Sequence, residues 1–118
     1  MGDWPRIVVG VAVDQFLFRT ALHAALDADR RFDAHLCPLD EDPIAHAHDC
    51  DARMLIVSRP PTPPAESQLC VVTVSHFDAR VHVSYAGGSQ DLVCEGIASL
   101  RDQLAGQAYV HCLKDEAS

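Results

Sequence analysis

Residues Arg6 to Val13 read Arg-Ile-Val-Val-Gly-Val-Ala-Val, a near-continuous apolar run. A strand with one wet face alternates apolar and polar residues. A run without alternation predicts a strand covered on both faces, as in a parallel sheet held between helices. Working outward, Asp14 follows, and Gln15 to Leu26 switches to helical period, with Phe18, Leu22, Ala25 and Leu26 on one face and Leu17 and Ala21 beside it. Asp14 is the expected N-cap, because its carboxylate can accept from free amides of the first turn. Phe32 to Pro38 predicts a short second strand, and Pro43 to Cys50 a short helix with proline in its first turn. Met54 to Ser58 and Leu69 to Ser75 are two further unalternating strands.

Between those two strands, Arg59 to Glu66 holds four prolines, which remove amide donors and fix φ. It predicts an extended connection in place of a crossover helix, or a segment that docks on an aromatic groove. Arg80 to Tyr85 alternates, as an edge or half-exposed strand does. Gly87-Gly88-Ser89 predicts a turn, with Ser89 capping a helix from Gln90 to Leu104. Val93, Ile97, Leu100 and Leu104 would form its apolar face, and Gly106 would lie just past its end. The expected architecture is a three-layer α/β sandwich with a mainly parallel five-stranded sheet.

The 118 residues suffice for one domain, taken as 1–118 with a partly ordered tail from 107. Hydrophobic residues make up 48% and charged residues 22%, which argues against a wholly disordered chain. Acidic residues outnumber basic ones 17 to 9, for a formal charge of −8, and Lys114 is the only lysine. That balance argues against direct grip on nucleic acid or an anionic membrane, both of which need a basic patch. The N-terminus lacks the basic and apolar regions of a secretory signal, and no apolar run is long enough to cross a bilayer, so the expected location is cytoplasmic. The five cysteines, Cys37, Cys50, Cys70, Cys94 and Cys112, are odd in number and include no CxxC pair. They predict small buried hydrophobes rather than a disulfide framework. The alanine- and aspartate-rich, lysine-poor composition suggests a high-GC bacterium.

Several residue groups carry potential chemistry. His35, Cys37, His46, His48 and Cys50 are metal-ligand types, but their spacing is not that of paired zinc motifs. Gly87 to Asp91 enters a predicted helix without a phosphate-loop pattern. Ser58, Ser75 and Ser84 with His76 and Asp78 supply parts of an acyl-transfer triad, but no GxSxG elbow is present. No catalytic residue, cofactor or bound metal is expected.

Arg6 to Phe32 (RIVVGVAVDQFLFRTALHAALDADRRF) resembles the opening of bacterial receiver domains, the flavodoxin-like input modules of two-component response regulators, in particular those that carry a LuxR-type helix-turn-helix. Met54-Leu-Ile-Val-Ser-Arg-Pro resembles the third strand of that family, Val71-Val-Thr-Val-Ser its fourth, and Gln90 to Gly106 its final helix. The resemblance implies a phosphorylation pocket: two acids after strand one for Mg²⁺, an aspartate on strand three, a Ser or Thr on strand four and a lysine on strand five. Here the acid pair is Val13-Asp14, Ser58 or Val57 stands at the phospho-acceptor, Thr73 or Ser75 at the hydroxyl position, and Ser84 or Tyr85 near the lysine position. One carboxylate is a thin magnesium site, and a serine without a base is a weak nucleophile.

The expectation is therefore a degenerate pseudo-receiver that is not an enzyme and carries no DNA-reading half. It would act in signal transduction or transcription regulation through protein–protein contact, as a homodimer or docked on a larger partner. The resemblance implies a contact face containing Tyr85, Val93, Ile97, Arg101 and Tyr109, with the short apolar patch to Leu113. An alternative is a sensor of an acidic metabolite at the carboxyl ends of the strands, using Asp14, Ser58, Arg59, Ser75, His76, Gly87 and Gly88. A further alternative to that expectation is a metal-binding protein built on His35, Cys37, His46, His48 and Cys50.

Overall fold

A computed structural model describes residues 6–38, 40, 42–58, 70–74, 80–85 and 88–108. The elements are β1 (Ile7–Ala12), α1 (Phe16–Asp27), β2 (Phe32–Leu36), α2 (Pro43–Asp49), β3 (Met54–Val57), β4 (Cys70–Val74), β5 (Arg80–Tyr85), β6 (Gly88–Val93) and α3 (Ile97–Ala108). The strands form one sheet in the order β2-β1-β3-β4-β5-β6. The first four are parallel, and β5 and β6 are antiparallel to their neighbours. The described residues are thus α/β, with a mixed six-stranded sheet and three helices.

The apolar run of β1 is central and buried on both faces, which is why it does not alternate. Val9 and Val11 enter a cluster with Leu22 and Leu26 of α1, Met54 and Ile56 of β3, Val72, Val81 and Val83, and Leu100 and Leu104 of α3. Ala12 joins a smaller cluster on the other face with Leu55, Val57, Val71, Cys37 and Ala47 of α2. One face is therefore covered by α1 and α3, the other by α2. Gly10 lies on the α2 side, where an added Cβ would meet Leu55 Cδ1 at 3.1 Å. The close pairing of β1 with β3 leaves that position little room.

Several expectations are corrected. The sheet has six strands, not five, and its last two are antiparallel. Gln90 to Val93 is not the first part of a helix: with Gly88 and Ser89, expected in the turn before it, these residues form the strand β6. The register pairs Tyr85 with Gly88, which leaves two residues between the strands, the commonest hairpin length. Gly88 has φ 150°, a conformation open to glycine. β5 is consequently an interior strand and β6 is the edge. The last helix starts at Ile97, so Ser89 caps nothing and Val93 is an exposed strand residue at 65%. Gly106 lies inside α3. At α1 the cap is Gln15, whose Oε1 accepts from the Phe18 amide at 2.7 Å, and not Asp14. Leu17, placed beside the buried face from the sequence, is 72% exposed next to Phe16 at 70%. The proline-rich connection 59–69 and the tail 109–118 lie outside the described residues.

Candidate functional site

Strand order reverses at β1, whose neighbours are β2 on one side and β3 on the other. β1 is followed in sequence by β2 on one side, and β3 by β4 on the other, and in open α/β sheets the crevice beyond the carboxyl ends at such a point receives ligands. Ala12 pairs with Val57 in register, so the residues that follow these two strands meet at this end. Asp14 and Ser58 are those residues. The Asp14 amide donates to Ser58 Oγ at 2.8 Å, so the hydroxyl ties β3 to the start of the α1 turn.

Thr73 pairs with Val57 on β3, one residue short of Ser58, and faces the α2 side. It is partly buried. Val13, at the place of a second acid in the receiver pattern, is buried in the cluster under α1 and α3. The position is apolar in surroundings as well as in identity.

Of the ligand-rim residues, Arg59, Ser75, His76 and Gly87 lie outside the described set. Gly88 is not at this rim. β5 runs backwards, with Val74 level with Val81 and Tyr85 level with Gly88, so Gly88 sits toward the opposite end of the sheet. Among the described residues, Asp14 and Ser58 are what the fold brings together at the rim.

The residues of the expected contact face do not share one surface. Tyr85 and Ile97 pack against the cluster under α1 and α3. Val93 pairs with Arg80 on the opposite side of the sheet. Arg101 turns toward Asp29, with Nε 3.6 Å from Oδ2, and toward Asp102 at 3.4 Å. Asp29 also accepts from Arg31 Nη2 at 2.6 Å, and this bond, before any other cause, holds the Asp29 carboxyl below its ordinary pKa. That network fastens the α1–β2 turn to α3 and is structural. Tyr109 lies outside the described residues.

The histidine and cysteine group is likewise dispersed. His35 Nε2 lies 3.3 Å from Asp33 Oδ2 on β2. Cys37 is buried in the cluster under α2. Cys50 follows α2 and donates Sγ to the Ala47 carbonyl at 3.7 Å. His46 and His48 are on α2 itself. Among the described residues, no three His, Cys, Asp or Glu side chains are placed to hold a metal ion. Cys94 is buried, and that burial raises its thiol pKa.

One polar row escaped the sequence reading. Thr73, His82 and Asp91 are directly opposed on β4, β5 and β6. His82 Nδ1 lies 2.7 Å from Asp91 Oδ1, and both side chains are exposed. An ionised carboxylate only accepts, so Nδ1 carries the proton. Val93 stands one helical turn before Ile97, and that helical period masks the pattern. The signal that would have found it is the two-residue spacing of Ser89, Asp91 and Val93.

Comparison of the chain with protein-family models, curated proteins and solved structures finds no match.

Proposed function

We propose that this chain is a non-enzymatic regulatory module for protein–protein interaction, a receiver-like flavodoxin-type domain without a working phosphorylation site. The strand order β2-β1-β3-β4 with parallel pairing supports the likeness. The reversed β5 and the added β6 distinguish this sheet from a wholly parallel one. The observation that carries the functional reading is the bond from the Asp14 amide to Ser58 Oγ. At the place where a phospho-accepting carboxylate would stand free for attack, a hydroxyl holds two strand ends together. Val13 supplies no second metal-binding acid beside it. What the chain then offers is surface, and it acts by pairing with itself or by docking on a larger protein.

The test is incubation with acetyl phosphate, and separately with beryllofluoride, each with Mg²⁺, followed by intact mass and light scattering. No added phosphoryl mass and no change in molecular size are expected. A phosphorylated species, or a size change on adding beryllofluoride and Mg²⁺, overturns the reading.

A further inference from the structure

The two edges of the sheet are treated differently. At the β2 edge, α1 reaches over with two side chains one helical turn apart. His23 Nε2 lies 3.2 Å from the Ala34 carbonyl, and Arg19 Nη2 donates to the Cys37 carbonyl at 2.9 Å. Ala34 lies in β2, and a side chain that occupies an edge carbonyl discourages the addition of another strand; Cys37 lies just past the strand, with its amide bonded to Val11. At the β6 edge nothing comparable occurs among the described residues. The hydrogen bonds and ion pairs of Gly88 to Val93 go to β5, and none of the six residues has a further polar partner. Five of the six are exposed, and only Leu92 is half-buried. The strand holds no lysine, no proline and no bulge, and its one charged side chain, Asp91, is paired with His82.

We propose that β6 pairs antiparallel with β6 of a second copy, about a two-fold axis through Gln90, so that two sheets become one. This deepens the interaction-module reading and rests on it for its purpose. The occupant follows from the self-complementarity of the strand. In an antiparallel pair, opposed residues point to the same side. On β6, Ser89, Asp91 and Val93 share the side of Arg80, His82 and Ser84, while Gly88, Gln90 and Leu92 share the side of Val81 and Val83. A two-fold axis perpendicular to the sheet therefore permits only registers centred on a residue.

Centring on Asp91 sets two carboxylates face to face, which is destabilising. Centring on Leu92 leaves three opposed pairs within β6 and sets each Asp91 against a valine. Centring on Gln90 gives five. Gln90 then meets its own copy, and amide with amide is a matched donor and acceptor set. Each Ser89 meets the partner subunit's Asp91, so a hydroxyl donates to a carboxylate twice. Asp91 is already steadied by His82 through one oxygen and has lone pairs left to accept that bond. The isologous, closed contact is the commonest form of a symmetric dimer.

The experiment measures association of the full chain by sedimentation velocity over a wide concentration range, with Ser89→Asp and Ser89→Lys beside the wild type. Ser89 is exposed, so neither variant disturbs the core, and circular dichroism checks that both fold. The proposed register sets position 89 against a carboxylate twice. Ser89→Asp should weaken the dimer about tenfold, and Ser89→Lys should hold or tighten it, by the usual size of opposed-charge effects in sheets. Amide exchange in β6 should slow as the dimer forms. A wild type that stays monomeric, or that pairs only with a different protein through β6, overturns the proposal. A dimer whose affinity is the same in both variants also overturns it, and leaves the interaction-module reading standing on another surface. That reading fails separately, on a phosphorylated species.

Discussion

Asp51 has φ 57° and follows the Cys50 C-cap of α2. The Asp51 amide donates to the His48 carbonyl at 3.2 Å and the Ala52 amide to the Ala47 carbonyl at 2.8 Å, the paired bonds that close a helix through a left-handed residue. Glycine is the usual occupant of that place, and aspartate is among the few others that tolerate it. Asp51→Gly should leave stability unchanged or raise it by about 0.5 kcal/mol, whereas Asp51→Val should cost about 1–2 kcal/mol, because a branched Cβ meets the following carbonyl. Thermal melts of the three proteins check the order. Asp29 gives a second prediction at this scale. Its folded-state pKa is lowered, chiefly by the Arg31 hydrogen bonds, so the unfolded chain takes up a proton first as pH falls. The stabilisation is complete above the unfolded carboxyl value of about 3.9 and is lost as pH drops through the lower folded value. Asp29→Asn should therefore melt earlier than wild type near neutral pH, and the difference should shrink toward zero in strong acid. A gap of constant size across that range would mean that the side chain contributes by shape and not by charge.

Elements were legible where one side of the chain is dry. β1, β3 and β4 announce themselves because both faces are buried, and Leu22 and Leu26 mark the inner face of α1. Ile97, Leu100 and Leu104 mark α3 in the same way. The boundary of α3 was lost because Val93 stands one helical turn before Ile97 and extends the period by accident. β6 itself buries little to betray it; only Leu92 packs against the core, the other five residues are exposed, and its composition is that of a loop. At the candidate site, Asp14 and Ser58 were recognisable as strand ends, but the bond between them joins residues 44 apart and depends on a register no local pattern reveals. The edge clamp of α1 yields the prediction at this scale. His23→Ala strips the donor from the Ala34 carbonyl and should cost about 1 kcal/mol, the net worth of one such bond. It should also increase light scattering on prolonged incubation, as β2 becomes open to pairing. Unchanged melting and unchanged scattering would show that His23 guards nothing.

Seen whole, the molecule sets a strong core on one face against a thin one on the other. Leu22, Leu26, Leu100 and Leu104 press α1 and α3 onto the sheet, while α2 contributes Ala47 and Ile44 to a smaller cluster. Removing the same number of methylenes should therefore hurt more on the first face. Leu104→Ala, fully buried between α3 and the sheet, should cost about 2–5 kcal/mol, enough to remove much of the stability of a domain this size. Against that core works the charge, a formal −8 spread over 118 residues. Self-repulsion of like charges favours the expanded chain, and salt shortens its range to about 10 Å at 0.1 M. The attractive pair of Asp29 with Arg31 is partly buried on the aspartate side and is screened less than charges in open water. Repulsion should therefore weaken faster than attraction as sodium chloride is added. The melting temperature should rise from about 0.02 to 0.5 M salt, across which the screening length falls several-fold. Asp29→Asn should keep a rise of similar sign, since it removes one negative charge and leaves the rest of the acidic excess. A melting temperature that falls with salt would place the balance on the side of attraction, and the network at Asp29 would then matter more to the fold than the net charge does.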